Sequence, residues 1–165
     1  CGVVVVGVAG LVGEAMVSIL EESKFPVGKL YPLDSSGSAG KKVGLNKSHV
    51  TVEDLETFDF SKVQIALFSA GGSISAEYAP KAAEAGAIVI DNTSYFRNDD
   101  DVPLVVPEVN PDAIAGYTQR NIIANPNCST IQMRVALKPL YDAVGIERIN
   151  VATYQAVSEI GRAHV

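Results

Sequence analysis

"VVVVGVAGLVGE", residues 3–14, joins four consecutive valines to three glycines at Gly7, Gly10 and Gly13. A continuous β-branched run reads as a strand buried on both faces of a parallel sheet. Ala15, Met16, Ile19 and Leu20 follow at helical spacing. Strand, glycine turn and helix in that order suit a dinucleotide. Gly7 permits a tight turn, Gly10 lets the backbone approach a pyrophosphate, and Gly13 allows close helix–strand packing. The helix N-terminus then faces the anion. A glycine-rich turn with no ligand has the same local pattern, so the flanking sequence must support the reading.

Outward from this stretch the alternation continues. Strands are expected in "KLYPLD" (29–34, ending near Leu33), "VQIALFSA" (63–70), "AIVIDNT" (87–93), "NIIANP" (121–126) and "RINVATYQAVS" (148–158). Helices are expected in "SAEYAPKAAEAG" (75–86) and "TIQMRVALKPLYDAVG" (130–145), the latter with Ile131, Val135, Leu137 and Leu140 largely on one side. "PDAIAG" (111–116) reads as a short helix started by Pro111 and stopped by Gly116. "VPLVVPEVN" (102–110) is extended, "SSGSAGKK" (35–42) is a polar loop, "HVTVEDL" (49–55) holds a short strand and "FDFSK" (58–62) a turn. The pattern predicts an α/β fold, a Rossmann-like doubly wound parallel sheet over residues 1–127. Ligands of such sheets bind beyond the carboxyl ends of the strands.

Composition narrows the partners. The chain has 165 residues, 47% hydrophobic and 19% charged, with a net charge of −6. That balance argues against nucleic acid or an anionic membrane as a general partner, and leaves room for a small anionic ligand. Two distant cysteines, Cys1 and Cys128, make no disulfide framework and favour a reducing, cytoplasmic setting. No metal-ligand spacing stands out, no stretch approaches a membrane span, and no secretory signal is visible. The chain starts without Met inside an apolar run and is expected to be cut at both ends. "IGRAHV" within residues 159–165 is also the translation of a common sequencing-adapter string, so native sequence is expected to stop near Ser158, setting aside Glu159, Arg162 and His164. His49 is expected on the surface, and the sequons at Asn46, Asn92 and Asn127 are read as chance.

The stretches after strands hold the unusual residues. At the end of the second strand, Asp34 fits a ribose 2′-hydroxyl and so NAD, whereas Ser35, Ser36, Ser38 and Lys41 fit a 2′-phosphate and so NADP. "SAGG" (69–72) lets a flat ring or phosphate approach the backbone, or is a plain turn. Arg97 can fork a phosphate or carboxylate, or pair with Asp99, Asp100 and Asp101 on the surface. Cys128 follows a strand end at Pro126 and precedes a helix. There the dipole favours the thiolate and nearby N–H groups can hold an oxyanion, although a buried packing thiol is the ordinary alternative.

The blocks "VVGVAGLVGE", "SAGK", "ALFSAGGSISAEYAPKAAEAGAIVIDNTSYFR", "DVPLVVPEVNPDAI", "IIANPNCSTIQM", "LKPLYDAVGI" and "TYQAVS", in this order, resemble bacterial aspartate-semialdehyde dehydrogenase. The resemblance implies reversible NADP-dependent interconversion of aspartate 4-semialdehyde plus phosphate with aspartyl 4-phosphate, serving lysine, threonine and methionine synthesis. It implies that Cys128 is the nucleophile, Asn127 an oxyanion partner, Gln155 the substrate-orienting residue and Arg97 the phosphate ligand. It places the cofactor on Gly7, Ala9, Gly10, Leu11, Val12 and Gly13, on Ser35, Gly37 and Ser38, on Ser69, Ala70, Gly71 and Gly72, and near Asn92 and Ser158. It further implies that residues 128–158 begin an α+β catalytic and dimerisation domain of a homodimer or dimer of dimers. The family's acid–base His and carboxylate-gripping Arg would lie beyond this chain, so the 165-residue chain is expected to be inactive alone. The chain departs from the family at Val8, where a Thr commonly lies nearby, and at Asp34 and Gly37. A small residue at 34 and an Arg at 37 are usual, so NAD stays open beside NADP. The alternatives are N-acetyl-glutamyl-phosphate reductase and a non-catalytic dinucleotide-binding homologue.

Overall fold

The computed structural model describes residues 1–45 and 48–154. They divide into two compact units, one ending at Asn127 and the other beginning at Cys128.

The first unit is built on six parallel strands: β1 (Gly2–Val6), β2 (Lys29–Asp34), β5 (Glu53–Asp54), β6 (Ile65–Phe68), β7 (Ile88–Asp91) and β8 (Ile122–Ala124). Their spatial order is β5-β2-β1-β6-β7-β8. β1 is central, with Val3 opposite Leu30 on one side and Ile65 on the other. Val3, Val4, Val5 and Val6 are all fully buried. Val3 and Val5 pack with Val17, Met16 and Leu20 of α1 (Leu11–Glu22), and Val4 and Val6 share a cluster with Ala79, Ala82 and Ala83 of α2 (Gly72–Glu84). Alternate side chains of a strand point to opposite faces. The consecutive valines therefore feed two cores at about 1.5 kcal/mol or more each.

Pro32 lies inside β2 and cannot donate to a ladder. The Leu33 carbonyl accepts from Gly7 on the β1 side, so its neighbour Pro32 faces the β5 side, where pairing covers only Leu33 and Asp34.

Several expectations need correction. α1 starts at Leu11, inside the glycine turn, and its buried face runs through Gly13 and Val17, while Ile19 is 61% exposed. α2 likewise begins at Gly72 and carries Pro80 within it. β3 (Lys42–Leu45) pairs antiparallel with β4 (Ser48–Thr51), where one short strand was expected in residues 49–55. His49 lies on β4, exposed. The helix at Pro111 is of the tighter 3₁₀ form and runs to Gln119. Gly116 does not stop it but admits the Pro103 ring, which a Cβ there would meet at 3.4 Å. The helix ends at Gln119 with Arg120 as its cap, and Asn121 just beyond turns the chain at φ +55°.

In the second unit, α3 spans Cys128–Val144, two residues longer at its start than expected. Val135 and Leu140 are 39% and 56% exposed, so they do not form a buried stripe within this unit. Residues 148–154 form no strand; the rest of that expected strand lies outside the described residues. A lone strand has no ladder to hold it.

Candidate functional site

The strand order reverses between β1 and β6, and the turns that leave these two strands are pressed together. Gly7 has φ +86°, and a Cβ on it would lie 2.8 Å from the Ala70 backbone. Ser69 locks the contact, donating its hydroxyl to the Val6 carbonyl at 3.1 Å and its N–H to the same oxygen at 2.9 Å. A Cβ on Gly13 would collide with the Gly7 carbonyl oxygen. Any larger residue there would push α1 off the turn. At Gly10 the nearest atom to such a Cβ is 3.5 Å away, so packing does not demand glycine. The bare backbone there leaves space for a ligand. Gly10 offers no side-chain cap to α1, and Leu11 and Val12 in its first turn are exposed. Open amides, a positive helix end and an uncovered backbone fit a pyrophosphate.

Beside this turn, β2 ends on Asp34. Its carboxylate accepts the Ala9 N–H at 3.1 Å and the Ser35 N–H at 2.8 Å. Ser35 then begins a turn closed by the N–H groups of Ser38 and Ala39 on the Ser35 carbonyl, with Gly37 exposed at its tip. The Lys41 ammonium lies 3.4 Å from the Ser38 hydroxyl.

The other arm of the carboxyl edge follows β7 and β8. The Asn92 N–H donates to the Phe68 carbonyl at 2.9 Å, which ties this arm to the Ser69–Gly72 turn. Arg97 donates Nε to the Asn125 carbonyl at 2.7 Å and Nη2 to the Asn92 carbonyl at 3.0 Å. The surface ion-pair alternative does not hold: Asp99 and Asp101 pair with Arg120, at 3.0 and 3.2 Å. Among the described residues Arg97 has no carboxylate partner. Its guanidinium has five N–H donors and keeps a full charge for an anion.

The reading of the sequence missed what holds this arm. Asp91, the last residue of β7, is completely buried. It accepts from the Ser75 hydroxyl at 2.8 Å, the Thr93 N–H at 3.1 Å and the Thr93 hydroxyl at 2.8 Å. The network joins β7, α2 and the loop carrying Asn92 and Arg97. Its signal was available as Asp and Thr two apart at a strand end.

Asn127 is exposed and ends the first unit; Cys128, also exposed, is the first residue of α3 and opens the second. The buried-thiol alternative therefore does not apply to it. Gln155 and Ser158 lie outside the described residues. Among the described residues there is no cluster of metal-ligating side chains, and no helix is long and apolar enough to cross a membrane.

Comparison with known proteins points the same way. The family model "Semialdehyde dehydrogenase, NAD binding domain" matches residues 2–117. The chain is 64% identical over 160 residues to aspartate-semialdehyde dehydrogenase of Shewanella violacea, covering 97% of this chain and 47% of that protein. The crystal structure of aspartate semialdehyde dehydrogenase II from Vibrio cholerae matches with a TM-score of 0.95 at 63% identity, over 98% of this chain and 48% of that one. The same Vibrio protein complexed with ASA matches with a TM-score of 0.87 at 62% identity, over 88% of this chain and 48% of that one. The chain spans about half the length of the curated relatives it matches.

Proposed function

The chain belongs to the semialdehyde dehydrogenase family, in whose NAD-binding domain residues 2–117 fall, and we propose that it is the cofactor-binding and nucleophile-bearing portion of an aspartate-semialdehyde dehydrogenase. The observation that carries the reading is Arg97, held at the carboxyl edge by two backbone carbonyls and, among the described residues, by no carboxylate. Such a cation is placed to take an anionic co-substrate, here phosphate.

In this reading the Cys128 thiolate attacks the aldehyde carbon of aspartate 4-semialdehyde and forms a thiohemiacetal. Asn127 helps to hold the oxyanion, and Gln155 orients the substrate. A nicotinamide dinucleotide, when bound, accepts the hydride that turns this adduct into a thioester. The turn at Gly7–Gly13 and the Ser69–Gly72 turn hold that cofactor, with Asn92, Ser158 and, at the adenosine end, Ser35, Gly37 and Ser38. Arg97 holds the phosphate that cleaves the thioester, releasing aspartyl 4-phosphate and returning the thiolate. The reverse, reductive direction would feed lysine, threonine and methionine synthesis in the cytoplasm. Residues 128–158 would begin the catalytic and dimerisation domain of a homodimer or dimer of dimers.

The test is a chimera in which this chain replaces the corresponding first half of the Vibrio cholerae enzyme. Phosphate-dependent oxidation of aspartate 4-semialdehyde is expected, lost in Cys128→Ala. Activity on N-acetyl-glutamate 5-semialdehyde instead would transfer the chain to the reductase alternative. A folded chimera inactive on both would point to a non-catalytic homologue.

A further inference from the structure

We infer that the adenosine-ribose pocket of this chain selects NAD(H) over NADP(H), with Asp34 as the selecting residue; this rests on the dinucleotide reading of the Gly7–Gly13 turn. Asp34 is the last residue of β2, the strand beside β1, so its carboxylate stands at the carboxyl edge next to that turn. Oδ2 accepts the Ala9 N–H at 3.1 Å, while Oδ1 accepts the Ser35 N–H at 2.8 Å and the Ser35 hydroxyl at 3.4 Å. The carboxylate is thus clamped to the segment that carries the pyrophosphate, where the adenosine ribose must pass. A carboxylate offers about four lone-pair sites, and the three donors leave one for a ribose 2′-hydroxyl.

The same group opposes a 2′-phosphate. An ionised carboxylate only accepts hydrogen bonds, and the phosphate would bring roughly −1.5 to −2 charges against it. Pockets for a 2′-phosphate answer that charge with an arginine fork near this position. Here the turn tip is Gly37, and no atom lies within 4 Å of where its Cβ would be. Lys41 of this loop lies against the Ser38 hydroxyl, at 3.4 Å.

Calorimetric titration of the 165-residue chain with NADH and with NADPH tests the inference without turnover. NADH should bind about ten-fold tighter or more. Asp34→Asn, which keeps the shape and removes the charge, should erase most of that ratio. Gly37→Arg, at an exposed position with room, should tighten NADPH and so lower the NADH-to-NADPH ratio, and it keeps the test informative should the Asp34 variant not fold. NADPH binding as tight as NADH by the unaltered chain would overturn the inference and leave the dinucleotide site standing. A preference that survives Asp34→Asn, or NADPH binding that Gly37→Arg leaves no tighter, would also overturn it. Binding of neither nucleotide would overturn the inference and the dinucleotide reading together.

Discussion

β2 and β7 both end on an aspartate at the same carboxyl edge, yet Asp34 and Asp91 are put to different uses. Asp34 is half-buried, and its donors, the Ala9 and Ser35 N–H groups and the Ser35 hydroxyl, are local to two neighbouring turns, with a lone pair left over. Asp91 is sealed from solvent, and its donors come from α2 and from the loop that follows β7. Residue type and position on the strand are identical, so the environment decides the role. An acceptor with spare capacity facing water can discriminate ligands; one that satisfies buried hydroxyls holds elements together.

The sharpest way to break this contrast is Asp91→Ala. It strands the Ser75 hydroxyl and the Thr93 hydroxyl and N–H in the core, and should cost about 3 kcal/mol in urea unfolding of the chain. A variant as stable as the parent would show that the network contributes little. Next in size is Arg97→Ala in the chimera. Loss of a charge-assisted contact should lower kcat/KM for phosphate about 30-fold, with Arg97→Lys failing to restore it because the fork is gone. An unchanged KM for phosphate would remove Arg97 from the anion site.

Ser75→Ala tests one donor alone and should cost about 1 kcal/mol, less than Asp91→Ala because Thr93 still serves the carboxylate. Asp34→Ala should change stability by no more than about 0.5 kcal/mol, as expected of a half-exposed side chain. A loss comparable to that of Asp91→Ala would dissolve the distinction between the two. The smallest effect concerns a third carboxylate, Asp59, which caps the 3₁₀ turn Phe60–Lys62. Hydrogen bonds from the Ser61 hydroxyl and then the Ser61 N–H hold it below the usual carboxylate range. Its contribution is therefore present above about pH 4 and fades as pH falls through the lowered value. Acid titration of stability should lose a small part of its slope in Asp59→Asn.

Much of this was legible in advance because the informative signals are local. Four valines before three glycines specify a buried strand and a tight turn whatever surrounds them. Arg97 and Cys128 stood out by their place after strand ends. What the sequence hid depends on distant partners. Nothing near Arg97 says that Arg120, across the loop, takes the neighbouring acids. Nothing near Gly116 says that Pro103 presses on it. Asp91 and Thr93, two apart, marked a local turn, but the third partner, Ser75, belongs to a helix on another segment. The pairing of β3 with β4 was blurred because Gly44 and polar residues break the alternation that marks a strand.

The position of β1 also bears on how the protein is made. Its four valines pair first with residues 30–33 but find their second neighbour only in residues 65–68. Synthesis runs from the N-terminus, so one edge of the most apolar strand stays open while β2, β3, β4 and β5 emerge. An unpaired, uncharged β-branched edge is the kind of segment that associates with other chains. Translation pauses between codons 34 and 65 should therefore lower soluble yield more than pauses placed after codon 68, making ribosome speed, rather than final stability, the limit on recovery of this fold.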